Sequence, residues 1–274
     1  MLGYIYYQDQ YVPRDINKSI YYFTLSANQN FSLAQIRLGD IYYEGKYVKS
    51  EINKSIHYLT LAANQNDSDA QFALGLYHFL GDNFPKDIQK SIYYFIHSAN
   101  NNHKDAQLLL GYFYYWGKHV PFDINKSIYY FTRSANQNNE HAQYALGHIY
   151  YDGKYIKRNI QNSIYYYTLS AKQNNPDAQF FLGNIYNNGL FVPRDVKKAI
   201  FYYKNASSFN NSLAKNNLGF IYINGDGVEK DINIAITYFN EAIALEDDSF
   251  SKYNLMRIYY FGIGIEKPRL SKSL

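Results

Sequence analysis

Along residues 32–66 the apolar positions fall on two helical stripes, not on a strand-like alternation. Ala34, Leu38, Ile41 and Tyr42 share one face at helical spacing, and Ile52, Ile56, Leu59 and Ala63 share another. Each stretch of this kind therefore predicts a pair of helices. The pattern returns at a fixed interval: Leu-Gly recurs at Gly3, Gly39, Gly75, Gly111, Gly147, Gly183 and Gly219, a period of 36 residues with no slip. A second glycine follows at Gly45, Gly81, Gly117, Gly153, Gly189 and Gly225, with Asp9 in its place in the first copy. An acidic or amide residue comes next, at Asp15, Glu51, Asp87, Asp123, Asn159, Asp195 and Asp231. Tyrosine then fills one slot in every copy: Tyr22, Tyr58, Tyr94, Tyr130, Tyr166, Tyr202 and Tyr238.

The punctuation between stripes fits helical hairpins. The acidic or amide residue is placed to accept hydrogen bonds from the first free amides of the second helix, and Pro13, Pro85, Pro121 and Pro193 stand two residues before it. Asn30, Asn66, Asn102, Asn138, Asn174 and Asn210 close that helix, asparagine being tolerant of the left-handed conformation found at helix ends. Asn175-Pro176 starts one first helix with a cap and a first-turn proline. Gly39 and its equivalents are expected to let the two helices of a hairpin approach closely, and Ala34 and Ala63 to let hairpins stack. No hairpin can bury its stripe alone, so the chain is predicted to be an all-α solenoid of seven to eight repeats. It would run as a single array over residues 1–265, incomplete in its first and last copies, with a tail at 266–274.

Composition narrows the function. Apolar residues make up 47% and charged residues 18%, enough to build a core and too little charge for a disordered chain. The 33 tyrosines and 18 phenylalanines exceed what a core of this size needs, so many rings are expected at the surface. The net charge of +4 forms no basic stripe, which argues against a nucleic-acid partner. The absence of cysteine excludes disulfides, a thiolate nucleophile and cysteine-ligated zinc. No apolar run is long enough to insert in a membrane and the N-terminus has no secretory pattern, so a cytoplasmic chain is expected.

The pattern A-x-x-x-L-G-x-x-Y-x-x-G, D-x-x-K-(A/S)-I-x-Y-(F/Y), A-x-x-(N/G) resembles the Sel1-like repeat, a subclass of the tetratricopeptide-like solenoids. It reads Ala70 to Leu74-Gly75 and Tyr77 in one first helix, and Asp123 to Lys126-Ser127, Tyr130 and Phe131 in one second helix. Departures are Ser19, Ser55, Ser91, Ser127 and Ser163 in place of alanine, asparagine for the closing glycine, and a one-residue slip that puts Met256 in the last glycine slot. The resemblance implies a right-handed superhelix and a non-catalytic scaffold or adaptor that binds other proteins. It also leaves open an adaptor of endoplasmic-reticulum-associated degradation, or a fragment of a larger multidomain signalling protein.

In such solenoids the first helices line the concave wall. By spacing, the side chains on it are Leu33, Ile36, Asp40, Tyr43 and Glu44 in the second copy and Asp69, Phe72, Leu76, Phe79 and Leu80 in the third. The fourth contributes Asp105, Leu108, Tyr112, Tyr115 and Trp116, and the fifth His141, Tyr144, His148, Tyr151 and Asp152. Two readings compete for the aromatic centre, Phe72, Leu76, Phe79, Tyr112, Tyr115, Trp116, Tyr144, His148 and Tyr151. One is a groove for an extended peptide or amphipathic helix anchored around the sole tryptophan; the other is ring packing between adjacent first helices.

No catalytic, cofactor or metal constellation emerges. His141 and His148 lie on one helix face without further ligands, and Gly225-Asp226-Gly227 sits at an ordinary loop position with no strand before it. Asp15 and its equivalents are explained as caps, and Asn17-Lys18-Ser19 matches the glycosylation sequon as an Asn- and Ser-rich chain will. An enzymatic reading, from disulfide-stapled relatives linked to β-lactam binding, is opposed by the lack of cysteine. The chain opens inside a first helix and closes after Gly262 without polar capping helices, which predicts a piece of a longer protein or end-to-end self-association.

Overall fold

The computed structural model describes residues 1–8, 11–81, 85–246 and 249–262. The described residues form fifteen α-helices and no strand. First helices of successive repeats are α1 (Leu2–Gln8), α3 (Ser32–Glu44), α5 (Ser68–Leu80), α7 (Lys104–Trp116), α9 (Glu140–Asp152), α11 (Pro176–Asn188), α13 (Ser212–Asn224) and α15 (Ser249–Phe261). Second helices are α2 (Ile16–Ala27), α4 (Ile52–Asn64), α6 (Ile88–Asn100), α8 (Ile124–Asn136), α10 (Ile160–Ala171), α12 (Val196–Ser208) and α14 (Ile232–Glu246). The chain divides into two compact units, residues 1–142 and 143–274, the boundary falling inside α9. The Asp9 position, the 266–274 tail and the 265 boundary lie outside the described residues.

Each constant slot has a physical cause. Leu38, Leu74, Leu110, Leu146, Leu182 and Leu218 are fully buried and form the apolar spine of the first helices. At Gly111 an added Cβ would stand 2.5 Å from the Phe131 ring, so only glycine lets α8 seat its ring against α7. Ser19, Ser91 and Ser127 donate to the carbonyls of Gly3, Gly75 and Gly111 at 2.8, 2.7 and 2.9 Å, so serine adds a bond across these three hairpins, whereas the hydroxyls of Ser55 and Ser163 in the same slot are buried without a partner among the described residues. The all-copy tyrosine stacks nearly parallel on a ring in the last turns of its own first helix. The seven pairs, Tyr6–Tyr22, Tyr42–Tyr58, His78–Tyr94, Tyr114–Tyr130, Tyr150–Tyr166, Tyr186–Tyr202 and Tyr222–Tyr238, have centroids 5.8 to 6.1 Å apart.

The loop is pinned in the same way each time. The backbone N–H of Asp15, Glu51, Asp87, Asp123, Asn159, Asp195 and Asp231 donates to the carbonyl of the ring residue just named, for example Asp123 to Tyr114 at 3.0 Å. Gly45, Gly81, Gly117, Gly189 and Gly225 end their first helices at left-handed φ, and Asn30, Asn66, Asn102, Asn138, Asn174 and Asn210 adopt positive φ after the second helices. Asp15, Asp87, Asp123, Asn159, Asp195 and Asp231 cap the N–H three residues on. Glu51 departs from this expectation: its longer side chain makes no cap and pairs with Lys54 at 2.9 Å. Lys18, Lys54, Lys126 and Lys198 combine that ion pair with a seat over the ring of Tyr6, Tyr42, Tyr114 or Tyr186.

Successive hairpins are further joined by buried amides. Gln35, Gln71, Gln107 and Gln179 donate to the carbonyls of Ala27, Ala63, Ala99 and Ala171 at the end of the preceding second helix. The side-chain oxygens of Gln35, Gln71, Gln107 and Gln143 accept from Gln65, Asn101, Gln137 and Gln173. In α15 the slip is visible: Ser251 and Ile258 take the buried alanine and isoleucine places, while Met256 is exposed.

Candidate functional site

Most of the predicted wall rings touch neighbours in packing. Phe72 stacks on His103 at 4.4 Å, and Phe79 lies 5.7 Å from Phe113 of the next first helix and 6.5 Å from Phe95. Leu76 packs on the same cluster. In the second unit Tyr144, His148 and Tyr151 gather around Phe181 at 6.1, 5.6 and 5.9 Å, and Tyr167 stacks on that ring at 5.4 Å. All six of these predicted residues are half-buried. The Tyr167 hydroxyl is buried without a partner among the described residues, whereas the equivalent Tyr203 donates to Asn184 at 2.7 Å.

Trp116 is different. It ends α7 with 63% of its surface exposed, stacked at 4.8 Å on Tyr112 and edge-on to Tyr115 at 6.1 Å. Tyr112 is itself wedged edge-to-face on Phe131 at 4.9 Å, and burial raises its hydroxyl pKa. In the neighbouring first helix the slot of Trp116 is held by Leu80, 45% exposed, and the slot of Tyr112 by Leu76. Half-buried Leu109 lies three residues before Tyr112 and seven before Trp116, on the same side of α7, so α5 and α7 of the first unit each present apolar side chains there. A rigidly stacked, solvent-facing indole beside aliphatic side chains can seat an apolar group with little ordering cost.

One helix earlier the same slots carry charge. Asp40 Oδ1 accepts from the Tyr77 hydroxyl at 3.5 Å, its Oδ2 lies 3.6 Å from Arg37, and Tyr43 stacks on Tyr77 at 3.7 Å. Burial pushes the Asp40 carboxyl up to about 6, with nearby Glu44 adding to the rise and Arg37 and the Tyr77 hydroxyl opposing it. Its slot was placed on the wall by spacing, but its link to Tyr77 was not foreseeable, because the partner lies 37 residues away.

Two further features escaped the sequence reading. The amide series was signalled by glutamine at 35, 71, 107, 143 and 179. The other is an outer row on the second helices, Tyr21, Tyr93, Tyr129, Tyr165 and Phe201, each 54 to 59% exposed and edge-on to the next tyrosine. Its signal was the same 36-residue interval, one position before the constant tyrosine. His141 is exposed beside Glu140, His148 lies on Phe181, and no cluster of potential metal ligands occurs among the described residues. No described helix is long and apolar enough to cross a membrane.

Paired helices stacked through glycine, alanine and ring slots at a 36-residue period define an all-α solenoid of helical hairpins. The family profile described as Sel1 repeat matches seven times, at residues 1–31, 32–67, 68–103, 104–139, 140–175, 176–208 and 212–247, and the chain belongs to that family. Among solved structures it is similar to a protective antigen present in uropathogenic Escherichia coli strains that displays an SLR fold. The two share 29% identity and a TM-score of 0.88, over 95% of this chain and 56% of the antigen. This chain thus spans little more than half of that protein. It is also similar to a Sel1 repeat protein from Oxalobacter formigenes, at 28% identity and a TM-score of 0.75, over 96% of this chain and 76% of the other. No curated protein matches the chain in sequence. Sel1 repeat proteins generally mediate protein–protein interaction on a typically non-catalytic scaffold.

Proposed function

We propose that this protein is a non-catalytic interaction module that seats a segment of another protein on the first-helix face of residues 1–142, with Trp116 as the anchor. The observation that carries this reading is the exposure of Trp116 on a stacked Tyr112 within the Leu76, Leu80 and Leu109 patch. The packed rings Phe72, Phe79 and Tyr115 act as the support that fixes the patch. Tyr144, His148 and Tyr151 belong to a separate ring cluster around Phe181.

The test begins with affinity capture and mass spectrometry to identify a partner, followed by calorimetry with purified components. Trp116→Ala is expected to keep the helical circular dichroism spectrum and weaken binding by about 30-fold, as for loss of an anchor worth about 2 kcal/mol. Tyr129→Ala, on the outer row, is expected to leave affinity unchanged. A folded Trp116→Ala protein with wild-type affinity, or substrate turnover by the pure protein, overturns the reading.

A further inference from the structure

Comparison of the hairpin loops through the repeats isolates the two that join α9 to α10 and α11 to α12, both within residues 143–274. Three of their slots depart from the other copies. Leu190 stands where Gln10, Lys46, Asp82, Lys118, Lys154 and Asp226 stand elsewhere, and it is 74% exposed. Lys197 replaces the amide of Asn17, Asn53, Gln89, Asn125, Gln161 and Asn233. Asn159 is uncharged where the other six second helices open on Asp or Glu. Together the departures expose an apolar tip, add a cation and remove an acid. The hairpin requires none of them, since the other copies fold without them.

The two loops lie side by side. The Arg158 guanidinium sits 4.9 Å over the Phe191 ring, and Tyr151 near the end of α9 meets that ring edge-on at 6.3 Å. On the loops and their helix ends Lys154, Lys157, Arg158, Arg194, Lys197 and Lys198 stand against Asp152 and Asp195, a surplus of four positive charges. Asp195 pairs with Lys198, and Asp226 of the next loop pairs with Arg194, which lowers the surplus to three. Glu229 and Asp231, with Lys230 between them, close the patch on that side. Lys157 and Lys197 are exposed and make no ion pair among the described residues, and Arg158 donates to the neutral Asp152 carbonyl at 3.0 Å. The surplus therefore faces solvent, beside Leu190 and the partly exposed rings of Tyr155 and Phe191.

We infer that this loop edge docks the protein on an anionic lipid surface, with Leu190 entering the headgroup layer and Lys157, Arg158 and Lys197 lying against the lipid anions. The sign of the charge selects an anionic surface. The exposed leucine selects lipid among such surfaces: a nucleic-acid backbone offers it nothing, whereas a bilayer takes up an apolar tip while flanking cations meet the headgroups. One leucine and a few cations give reversible attachment that salt weakens. The edge lies on residues 143–274 and Trp116 on residues 1–142, so the inference does not depend on the interaction face proposed above.

The probe is sedimentation of the full chain with vesicles, one set of phosphatidylcholine alone and one in which a quarter of the lipid is phosphatidylserine. Binding to the second set only, falling as salt rises, is expected. Lys157→Ala together with Lys197→Ala should lower the partition coefficient about thirtyfold. Leu190→Ser should lower it about tenfold and leave the salt dependence as it was. Lys172→Ala, just past the far end of α10, and Trp116→Ala should leave it unchanged, each variant keeping the helical circular dichroism spectrum. Because the chain has no cysteine, Leu190→Cys can carry a single polarity-sensitive fluorophore, whose emission should shift to the blue on anionic vesicles. Equal partition into both vesicle sets, or partition indifferent to the lysine pair, overturns the inference. Sensitivity to the lysine pair with no effect of Leu190→Ser and no blue shift also overturns it. In that case binding of polyuridylate or polyglutamate by the same lysines would identify the edge as a site for a soluble polyanion.

Discussion

At Asp40 the ordinary carboxyl value of 3.8 becomes about 6, and the sign of the consequence follows from which state holds the proton. The folded chain binds it more tightly than the unfolded chain, so this group lowers stability as pH rises from about 4 to about 6, and its cost is constant above that range. At 1.36 kcal/mol per pH unit, the step from 3.8 to about 6 corresponds to on the order of 3 kcal/mol. The groups facing it are Arg37 and Glu44 on its own helix and Tyr77 on α5, of which Arg37 and the Tyr77 hydroxyl favour the ionised form. Asp40→Asn is therefore expected to raise stability by about 1–3 kcal/mol at pH 7.5 and by little at pH 4, read from urea melts at both pH values. Equal gains at the two pH values would mean that the substitution acts through packing and not through the charge.

Within a hairpin, the same backbone is built from a short list of local devices, and one exception among the second-helix caps measures what a device contributes. Glu51 has nearly the same backbone angles as the capping Asp195, φ −129 and ψ 80 against φ −138 and ψ 88, yet only Asp195 reaches the free amide. Shortening the side chain, Glu51→Asp, is expected to restore the cap and raise stability by about 0.5–1 kcal/mol. The reverse change, Asp123→Glu, should lose a similar amount, both read as shifts in thermal midpoint. The helices, caps, glycine slots and hairpin pairing were legible in the sequence because each is set by residues close in the chain and recurs at 36-residue intervals. The facing of neighbouring rings was less so: Tyr115 is half-buried while adjacent Trp116 is exposed, and Tyr21 is exposed while Tyr22 is stacked. The Asp40–Tyr77 bond and the side-chain links from Gln65, Asn101, Gln137 and Gln173 join residues 30 or more positions apart, and the glutamine period marks a slot without announcing which atoms meet.

Across the whole molecule, packing runs chiefly between helices consecutive in the chain, so stability should divide into repeat terms and nearest-neighbour terms. Leu110 tests this division. It is fully buried in a cluster with Phe95, Ala99, Ala106, Phe113, Tyr114 and Tyr130 of α6, α7 and α8, against which Phe72, Leu76 and Phe79 of α5 pack. Truncation to alanine removes contacts within this cluster at a cost of about 3 kcal/mol. In a globular domain with one shared core that loss would lower protection everywhere; in an array it should act locally. Native-state hydrogen exchange of Leu110→Ala is therefore expected to show faster opening of amides in α5–α8, with those of α12 and α13 unchanged. Uniform acceleration through α12 and α13 would instead identify a single cooperative unit. Local opening would also bear on binding, because Trp116 closes the same helix as Leu110: a partner seated on Trp116 would restore protection to α7 first, linking occupancy of the face to the stability of the repeats that build it.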